Sequence, residues 1–149
     1  MSSVIEKKIL KGLELSDYKF HTSPLVVGGL AMEYYGIRKT GHDYDYVVAS
    51  TDWSSLKKLH PKKINLFGGK NEKDVDATIN LKNVDLIKTL FQFDYNDLSK
   101  DAIIKKKYKI ISLEKLLLLK TLGAVHNHHP KSKRDQKLIV QFIVKSQYS

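Results

Sequence analysis

The sequence predicts a mixed α/β domain in which a small mixed β-sheet is flanked by helices. Short apolar runs of strand length are interspersed with longer segments whose apolar residues recur at helical spacing. A length of 149 residues suits one domain with a substantial core and is too short for two. Hydrophobic and charged fractions of 42% and 28% are typical of a globular protein. We therefore expect a single domain over residues 1–149, with a helical C-terminal part from about residue 112.

The N-terminal third is predicted to alternate helices with strands. Apolar residues from Val4 to Leu15 fall on one helical face with lysines between them, which indicates an amphipathic helix. Pro24 disfavours helix at the residue before it, so the apolar run 25–27 is predicted to be a strand. A helix up to Gly36, a strand with alternating character over 43–48, and a helix over 50–59 follow. The polar residues 50–52 are candidate N-caps for that last helix.

The remaining two thirds are predicted to hold further short strands and two long C-terminal helices. The predicted elements are strands at 63–67 and 73–79 around a turn at 68–71, a helix at 83–91, a polar connection at 94–100, a helix-compatible stretch at 101–104, a strand at 108–111, a helix at 113–122, a loop at 123–132 and a last helix from about 133 to 145.

The charge balance favours polyanionic partners, because 26 Lys and Arg residues against 16 Asp and Glu residues leave a net charge of +10. RNA is one such partner, although a lysine-rich surface without a dedicated partner has the same composition. The absence of cysteine excludes disulfides and thiolate metal sites and fits a reducing compartment. The polar N-terminus does not resemble a signal peptide, and no apolar run reaches the roughly 20 residues of a membrane span. We expect a cytoplasmic protein with no membrane association.

Two acidic residues on the predicted strand 43–48 are the first candidate site residues. Residues two apart on a strand point to one face, so Asp43 and Asp45 project together at a Cα spacing of roughly 7 Å. Two carboxylates in one small volume repel each other unless they share a proton or a cation. A divalent ion such as Mg²⁺, bound through one or two carboxylates plus phosphate oxygens, satisfies such a pair.

A glycine pair between the first strand and the second helix is a candidate phosphate site. Gly28 and Gly29 carry no side chain, so a ligand can approach their backbone closely. The N–H groups at the start of a helix also carry partial positive charge, which favours an anion. The sequence thus predicts that a phosphate group and a metal ion meet between the glycine pair and the acidic strand.

This arrangement resembles the nucleotidyltransferase fold of the DNA polymerase β superfamily, in particular its small stand-alone and toxin-like members. Their signature is an apolar strand, Gly-Gly or Gly-Ser, a helix, and Asp-x-Asp on the next strand. Gly28, Gly29, Asp43 and Asp45 match that signature.

A second run supports the same resemblance. Gly36, Arg38 and Thr40 match a Gly-x-Arg-x-Thr pattern often seen just before the acidic pair. Gly41 and His42 lengthen the link to the first aspartate, which is a departure from the pattern. The resemblance covers residues 24–80 well and residues 108–140 loosely.

The resemblance also implies a third carboxylate on a neighbouring strand, usually between two apolar residues. Asp76, between Val75 and Ala77, fits that description best, and Asp74 is its rival. Without the upstream motif, the same segment is interpreted as a hairpin with solvated acids.

Downstream residues match the family more loosely. The pattern Ser-x-Glu-x-Leu-x-x-x-Lys begins at Ser112 and places Lys120 where relatives have a lysine that points to the nucleotide phosphates. Asp135 with Lys131 or Lys133 matches a later basic and acidic pair. His126, His128 and His129 replace part of that pattern; such a loop is more often solvated or phosphate-facing than a dedicated metal site.

The resemblance implies a Mg²⁺- or Mn²⁺-dependent nucleotidyltransferase that takes a nucleoside triphosphate such as ATP as donor. An acceptor hydroxyl attacks the α-phosphate in line, and two metal ions stabilise the attacking and leaving oxygens. In this scheme Asp43, Asp45 and Asp76 bind metal and carry catalysis. The nucleotide-binding residues are Gly28, Gly29, Arg38, Thr40 and Lys120.

Two other classes of function stay open, because a fold does not fix a function. One is a catalytically inactive protein of this fold that binds nucleotide or RNA. The other is an interaction subunit with a protein partner, such as one half of a toxin and antitoxin pair. The sequence does not identify the acceptor, which can belong to RNA, a protein or a small molecule.

Overall fold

A computed structural model describes residues 3–67, 76–126 and 130–148. Within these ranges the chain forms helices and strands in an interleaved order. They are α1 (Val4–Leu15), β1 (Leu25–Val26), α2 (Gly28–Tyr34), β2 (Tyr44–Val47), α3 (Ser50–Leu59), β3 (Ile64–Phe67), β4 (Asp76–Leu81), β5 (Val84–Ile87), α4 (Tyr95–Leu98), β6 (Ile103–Ile104), β7 (Lys109–Ile110), α5 (Leu113–His126) and α6 (Pro130–Tyr148).

The strands form one mixed seven-stranded sheet with the order β3-β4-β5-β2-β1-β7-β6. Two pairs are parallel, β2 with β5 and β1 with β7, and the other four pairs are antiparallel. The mixed α/β class predicted from the sequence is therefore confirmed. β2 lies in the middle of the sheet, between β5 and β1, so its side chains have sheet neighbours on both sides.

The two faces of β2 have different surroundings. Tyr46 is fully buried, and its hydroxyl donates a hydrogen bond to the carbonyl of Ile9 in α1 at 2.7 Å. Because successive strand side chains point to opposite faces, Asp45 lies on the face away from this contact. Helix α1 thus covers one face of the sheet centre and leaves the acidic face to other groups.

The C-terminal helices α5 and α6 pack against each other and against the sheet. Leu116 and Ile139 are fully or almost fully buried, and Gln136 Nε2 donates to Thr121 Oγ1 across the pair at 3.1 Å. None of the helices in the described ranges is long and apolar enough to cross a membrane.

Several sequence-based assignments in the second half of the chain are wrong. The helix predicted over 83–91 contains β5, and the helix-compatible stretch 101–104 contains β6. The reason is tertiary, since both segments pair with neighbouring strands and such pairing overrides weak local preference. The connection predicted at 94–100 includes α4, where Asp94 and Asp97 form a capping box.

The predicted histidine loop at 123–132 is shorter than expected. Helix α5 continues to His126 and α6 begins at Pro130, a residue suited to the first turn of a helix. His128, His129, the turn predicted at 68–71 and the rival acid Asp74 lie outside the described residues.

Asp52 holds the segment before β1 and does not act as a helix cap. The N-cap of α3 is Ala49, and Asp52 is fully buried one turn further on. Its carboxylate accepts hydrogen bonds from the Tyr18 hydroxyl at 2.7 Å and from the backbone N–H groups of His21 and Thr22 at 3.0 Å each. The 18–22 segment is therefore fixed against α3.

We expect Asp52→Ala to lower the free energy of unfolding by about 2 to 3 kcal/mol, because the N–H groups of His21 and Thr22 lose their acceptor. Urea unfolding checks this value. Thr51→Ala, at an exposed site in the same helical turn, is the matched control. A loss below about 1 kcal/mol for Asp52→Ala would indicate that only the helix dipole is affected.

Candidate active site

A cavity of about 720 Å³ lies where β1 passes into α2. Gly28, Asp45 and Lys120 line it together with Asp76, Phe91 and His126. The volume lies within the range of small-molecule sites, and the lining combines apolar walls with a few polar groups, as such sites usually do.

A larger groove of about 970 Å³ lies at the opposite end of β1, beside Ser23. Its charged lining is mixed, with Lys19, Lys106 and Lys107 against Glu14 and Asp17. Its two acids, Glu14 and Asp17, do not lie on strands, and no glycine is among the described residues that line the groove. We therefore take the smaller cavity as the candidate site.

Asp45 and Asp85 are direct neighbours on the acidic face of the sheet. β2 and β5 run parallel with Asp45 opposite Asp85 in the register, so both side chains point to the same face. Asp43 precedes β2, shares that face and is exposed. The predicted pair Asp43 and Asp45 thus gains a third acid, Asp85, from the neighbouring strand.

Asp85 is held by polar side chains of the next strands. Asn80 of β4 stands opposite Asp85, and its Nδ2 donates to Asp85 Oδ1 at 2.6 Å. Thr78 Oγ1 donates to Asn80 Oδ1 at 3.1 Å, and Asn65 of β3 donates to the same oxygen. These hydrogen-bonded side chains lie on three neighbouring strands and hold the Asp85 carboxylate in place.

Asp45 is strongly perturbed by its surroundings. Burial raises its pKa, the negative charges of Asp85 and Asp43 and a hydrogen bond with Asp85 raise it further, and Lys120 opposes the shift, with a result of about 7. With its pKa raised to about 7, the Asp45 carboxyl is partly protonated near neutral pH. A cation bound at Asp45 can replace that proton, because either one reduces the repulsion between Asp45 and its neighbouring carboxylates, Asp85 and Asp43.

Asp76 shares the face of Asp45 and Asp85 but lies farther along the sheet. In the register of β4 with β5, Asn80 is opposite Asp85 and Thr78 is opposite Ile87, and Asp76 continues along β4 in the same direction. At about 3.3 Å per residue, Asp76 lies roughly 13 Å along the strand from the position opposite Asp85. Its carboxylate accepts hydrogen bonds from Thr89 Oγ1, the Phe91 N–H and the Gln92 N–H at 2.7 to 2.8 Å. The contacts of Asp76 are thus with the 89–92 segment and not with the other acids.

Gly28 allows the backbone to approach Asp45. Its φ of +61° lies in the left-handed region, and a Cβ at this position would lie 2.7 Å from Asp45 Oδ2. Only glycine meets both requirements without strain. The Asp45 carboxylate therefore lies against Gly28, and the approach of a phosphate to this glycine stays a prediction.

Gly29 packs against Thr40 in the connection before β2. A Cβ at Gly29 would lie 2.6 Å from Thr40 Oγ1, and that hydroxyl is buried with no hydrogen-bond partner in the described part of the chain. The Thr40 N–H donates to Glu33 Oε1 at 2.9 Å, and Lys8 Nζ donates to the same carboxylate. The Gly-x-Arg-x-Thr run thus places Thr40 on the glycine turn.

Arg38 and Lys120 meet at a buried carboxylate, Asp135 of α6. Arg38 donates from Nε and Nη2 to the two Asp135 oxygens at 2.8 Å each, and Lys120 Nζ lies 2.9 Å from Oδ2. The Asp135 side chain is fully buried. Burial alone would raise its pKa, but hydrogen bonds and charge from Arg38 and Lys120 outweigh that effect and lower the pKa to about 2.

The two basic side chains, Lys120 and Arg38, therefore differ in their access to the candidate site. Lys120 lines the cavity and is close enough to Asp45 to lower its pKa, so one ammonium group serves both Asp135 and the site. The guanidinium of Arg38 is directed to Asp135 and to the carbonyl of Lys39, and Arg38 is not among the described residues that line the cavity.

The donor set fits a hard divalent cation held jointly by protein and substrate. Asp45, Asp85 and Asp43 offer only carboxylate oxygens, the ligands that Mg²⁺ and Mn²⁺ prefer. Among the described residues, no group of three or more His, Cys, Asp or Glu side chains has the geometry to hold a metal ion unaided. Mg²⁺ usually binds through one or two carboxylates with substrate phosphates, so two neighbouring acids suffice.

No protein-family model and no curated protein matches this sequence. The resemblance to nucleotidyltransferases therefore depends on the motif residues alone.

Sequence reasoning missed Asp85, although a signal was present. Asp85 lies between two apolar residues, Val84 and Leu86. The same pattern is the reason for choosing Asp76 from the sequence. The helix predicted over 83–91 does not place this acid on a strand beside Asp45. The partners of Asp135 were also missed, because they are far away in the chain.

We expect Gly29→Ala to destabilise the fold and Thr40→Ala in the same chain to restore most of the loss. The new Cβ would collide with Thr40 Oγ1, and removing that hydroxyl sacrifices no hydrogen bond within the described residues. Urea unfolding of both single variants and the double variant measures the coupling. Additive effects would show that residues 29 and 40 do not touch.

We expect Asp135 to contribute stability that disappears in acid. Its folded pKa of about 2 lies below the ordinary 3.8, so the contribution is present above pH 3.8 and is lost as the pH falls towards 2. The loss amounts to about 2 kcal/mol, at about 1.36 kcal/mol per pKa unit. The free energy of unfolding of wild type and Asp135→Asn, measured from pH 6 to pH 2, should converge by that amount.

Asp101→Asn, at an exposed acid, controls for the loss of one negative charge. A constant difference between wild type and Asp135→Asn over the whole pH range would contradict the ion-pair assignment.

Proposed function

We propose that the protein is a Mg²⁺- or Mn²⁺-dependent nucleotidyltransferase that moves a nucleoside monophosphate from a nucleoside triphosphate to an acceptor hydroxyl. The observation that carries the proposal is the pairing of Asp45 with Asp85 beside the Gly28 turn, in a cavity that Lys120 also lines. Like-charged carboxylates at a glycine turn suit a substrate that brings phosphate and cation together.

The order of the elements supports the proposal. A short strand β1, a glycine turn, helix α2 and an acidic strand β2 that returns antiparallel to β1 follow the order of the motif. This order brings the start of α2 next to Asp45, as the close approach of Gly28 to that side chain shows. Backbone N–H groups and carboxylates then face one ligand from two sides.

The triphosphate is assigned to Gly28, Gly29 and Lys120. The glycine N–H groups at the start of α2 offer donors for phosphate oxygens, and the Lys120 ammonium supplies positive charge to the same cavity. Asp135 keeps that ammonium in place, since it binds Lys120 and Arg38 together. We assign Arg38 an indirect role, because its guanidinium is directed to Asp135 and not to the cavity.

We assign the carboxylates to two different roles. Asp45 and Asp43 would hold the cation that travels with the triphosphate, and the bound cation would neutralise charge on the phosphates. We assign Asp85 to the acceptor side, where it takes the proton of the attacking hydroxyl. The acceptor oxygen bonds to the α-phosphorus, the bond to the bridging oxygen breaks, and pyrophosphate leaves with that electron pair.

Asp85 replaces Asp76 in this scheme because of the contacts each one makes. Asp76 is engaged by three donors of the 89–92 segment, whereas Asp85 is a neighbour of Asp45. A general base must lie within reach of the proton it removes, and geometry takes precedence over residue type in choosing it.

The acceptor is assigned only by chemical class, as a hydroxyl of RNA or protein. The net charge of +10 favours RNA through counterion release. A role in binding nucleotide or RNA without transfer uses the same cavity and the same charge, so binding and transfer have to be measured separately.

The experiment is to incubate the protein with Mg²⁺ and each α-labelled nucleoside triphosphate, with RNA or cell protein as acceptor, and to measure labelled product. We expect Asp85→Asn to bind nucleotide with little change and to transfer label about 10² to 10⁴ times more slowly, because its proton acceptor is lost. Glu14→Gln, at an exposed acid of the other groove, is the matched control with the same charge change.

Retained transfer in Asp85→Asn would remove the assigned base. Nucleotide binding that needs Asp45 but labels no acceptor would favour the binding role. If the Asp45→Asn variant still binds Mg²⁺ and nucleotide like the wild type, the site itself is misplaced.

A further inference from the structure

A tight turn at the edge of the cavity has an unusual backbone. Leu90 and Phe93 exchange backbone hydrogen bonds of 2.9 and 3.0 Å, and the two residues between them, Phe91 and Gln92, have φ values of 50° and 68°. Two successive positive φ angles characterise a type I′ turn, which normally contains Asn-Gly or Gly-Gly. A phenylalanine in this region is a true outlier.

Phe91 and Gln92 stand out from the other residues with positive φ. Five non-glycine residues in the described ranges have this conformation, and the other three are Asp17, Asn83 and Asp101. Asn and Asp tolerate the left-handed region because their short side chains bond locally, whereas Phe has no such compensation. The turn is therefore held by its surroundings.

Asp76 is the group that holds it. One carboxylate accepts the Phe91 N–H at 2.7 Å, the Gln92 N–H at 2.8 Å and the Thr89 hydroxyl at 2.8 Å. Hydrogen bonds to an ionised acceptor are among the stronger ones. The acid that the sequence marks as catalytic thus fixes the conformation of the turn.

The turn presents the Phe91 ring to the cavity. Phe91 is half-buried and lines the cavity with Gly28, Asp45 and Lys120. The ring of His126, at the end of α5, lies 6.4 Å from the Phe91 ring between centroids, at an interplanar angle of 40°. An aromatic wall and a site for phosphate and cation thus belong to one cavity.

We propose that Phe91, with His126 beside it, is the stacking surface for the nucleobase of the bound nucleotide, and that Asp76 is the positioning residue that holds Phe91 there. This inference rests on the proposed function and specifies its donor subsite. Strained backbone persists where its surroundings over-determine it, and it clusters at ligand sites. Stacking contacts the face of a base and not its edges, so the four common nucleoside triphosphates should bind with similar affinity.

The test compares a ligand that has a base with one that lacks it. Calorimetry on the full chain measures the dissociation constants of Mg·ATP and Mg·tripolyphosphate. Removing a stacking ring weakens nucleotide binding by about 5- to 150-fold. We expect Phe91→Ala to show such a loss for ATP and no change for tripolyphosphate, whereas Phe91→Trp should retain ATP affinity.

Gln92→Gly is the matched control within the turn. Glycine adopts the left-handed conformation without strain, so this variant should keep ATP affinity and raise the urea midpoint by roughly 0.5 M. Asp76→Ala should weaken ATP binding and spare tripolyphosphate, and Gln92→Gly in the same chain should recover part of that loss. If Asp76→Ala does not fold, the Phe91 variants still decide the question.

The outcomes separate this inference from the proposed function. Equal ATP affinity in wild type and Phe91→Ala overturns the stacking role and leaves the phosphate site intact. An equal loss for both ligands means that Phe91 only shapes the cavity, which also overturns it. If wild type binds neither ligand, the nucleotide site and the stacking surface are rejected together.

Discussion

The pairing of Asp45 with Asp85 is the constraint on which the candidate site depends. Parallel strands β2 and β5 bring the two carboxylates side by side, where the charge of one disfavours the charge of the other. The arrangement persists because the opposite face of the same strands is deeply buried, with Tyr46, Val84 and Leu86 fully excluded from solvent. A shift of one residue in the register would exchange these faces, so burial of the apolar set also fixes where the acids point.

Local pattern is sufficient to predict the N-terminal elements that carry the candidate site. The helical spacing of α1, the glycine pair at the start of α2 and the alternation in β2 are each contained in a short stretch, and the structure confirms these elements. β5 was missed because Val84–Ile87 is a short, mostly apolar run, and periodicity does not separate a short buried strand from a buried helical segment.

The contacts of the remaining candidate site residues depend on long-range pairing, which spacing along the chain does not predict. Asp76 and Asp85 both lie between apolar residues, and only the strand order, with β5 and not β4 next to β2, decides which one lies beside Asp45. The contact of Arg38 with Asp135 spans 97 positions in the chain. Motif spacing predicted a charged residue at Arg38, at Lys120 and at Asp135, but it did not show that the three neutralise one another in the interior.

Two features of this molecule are unfavourable in the free protein, and both lie on the same cavity. Asp45 and Asp85 repel each other unless a proton or cation intervenes, and Phe91 adopts a backbone conformation that its side chain disfavours. Sequences that fold well are locally consistent, and the exceptions concentrate at functional sites. A cation would reduce the repulsion between the carboxylates, and hydrogen bonds to Asp76 hold the half-buried Phe91 against the same cavity. The coincidence of these two costs in one cavity is therefore the strongest physical reason to place a ligand there.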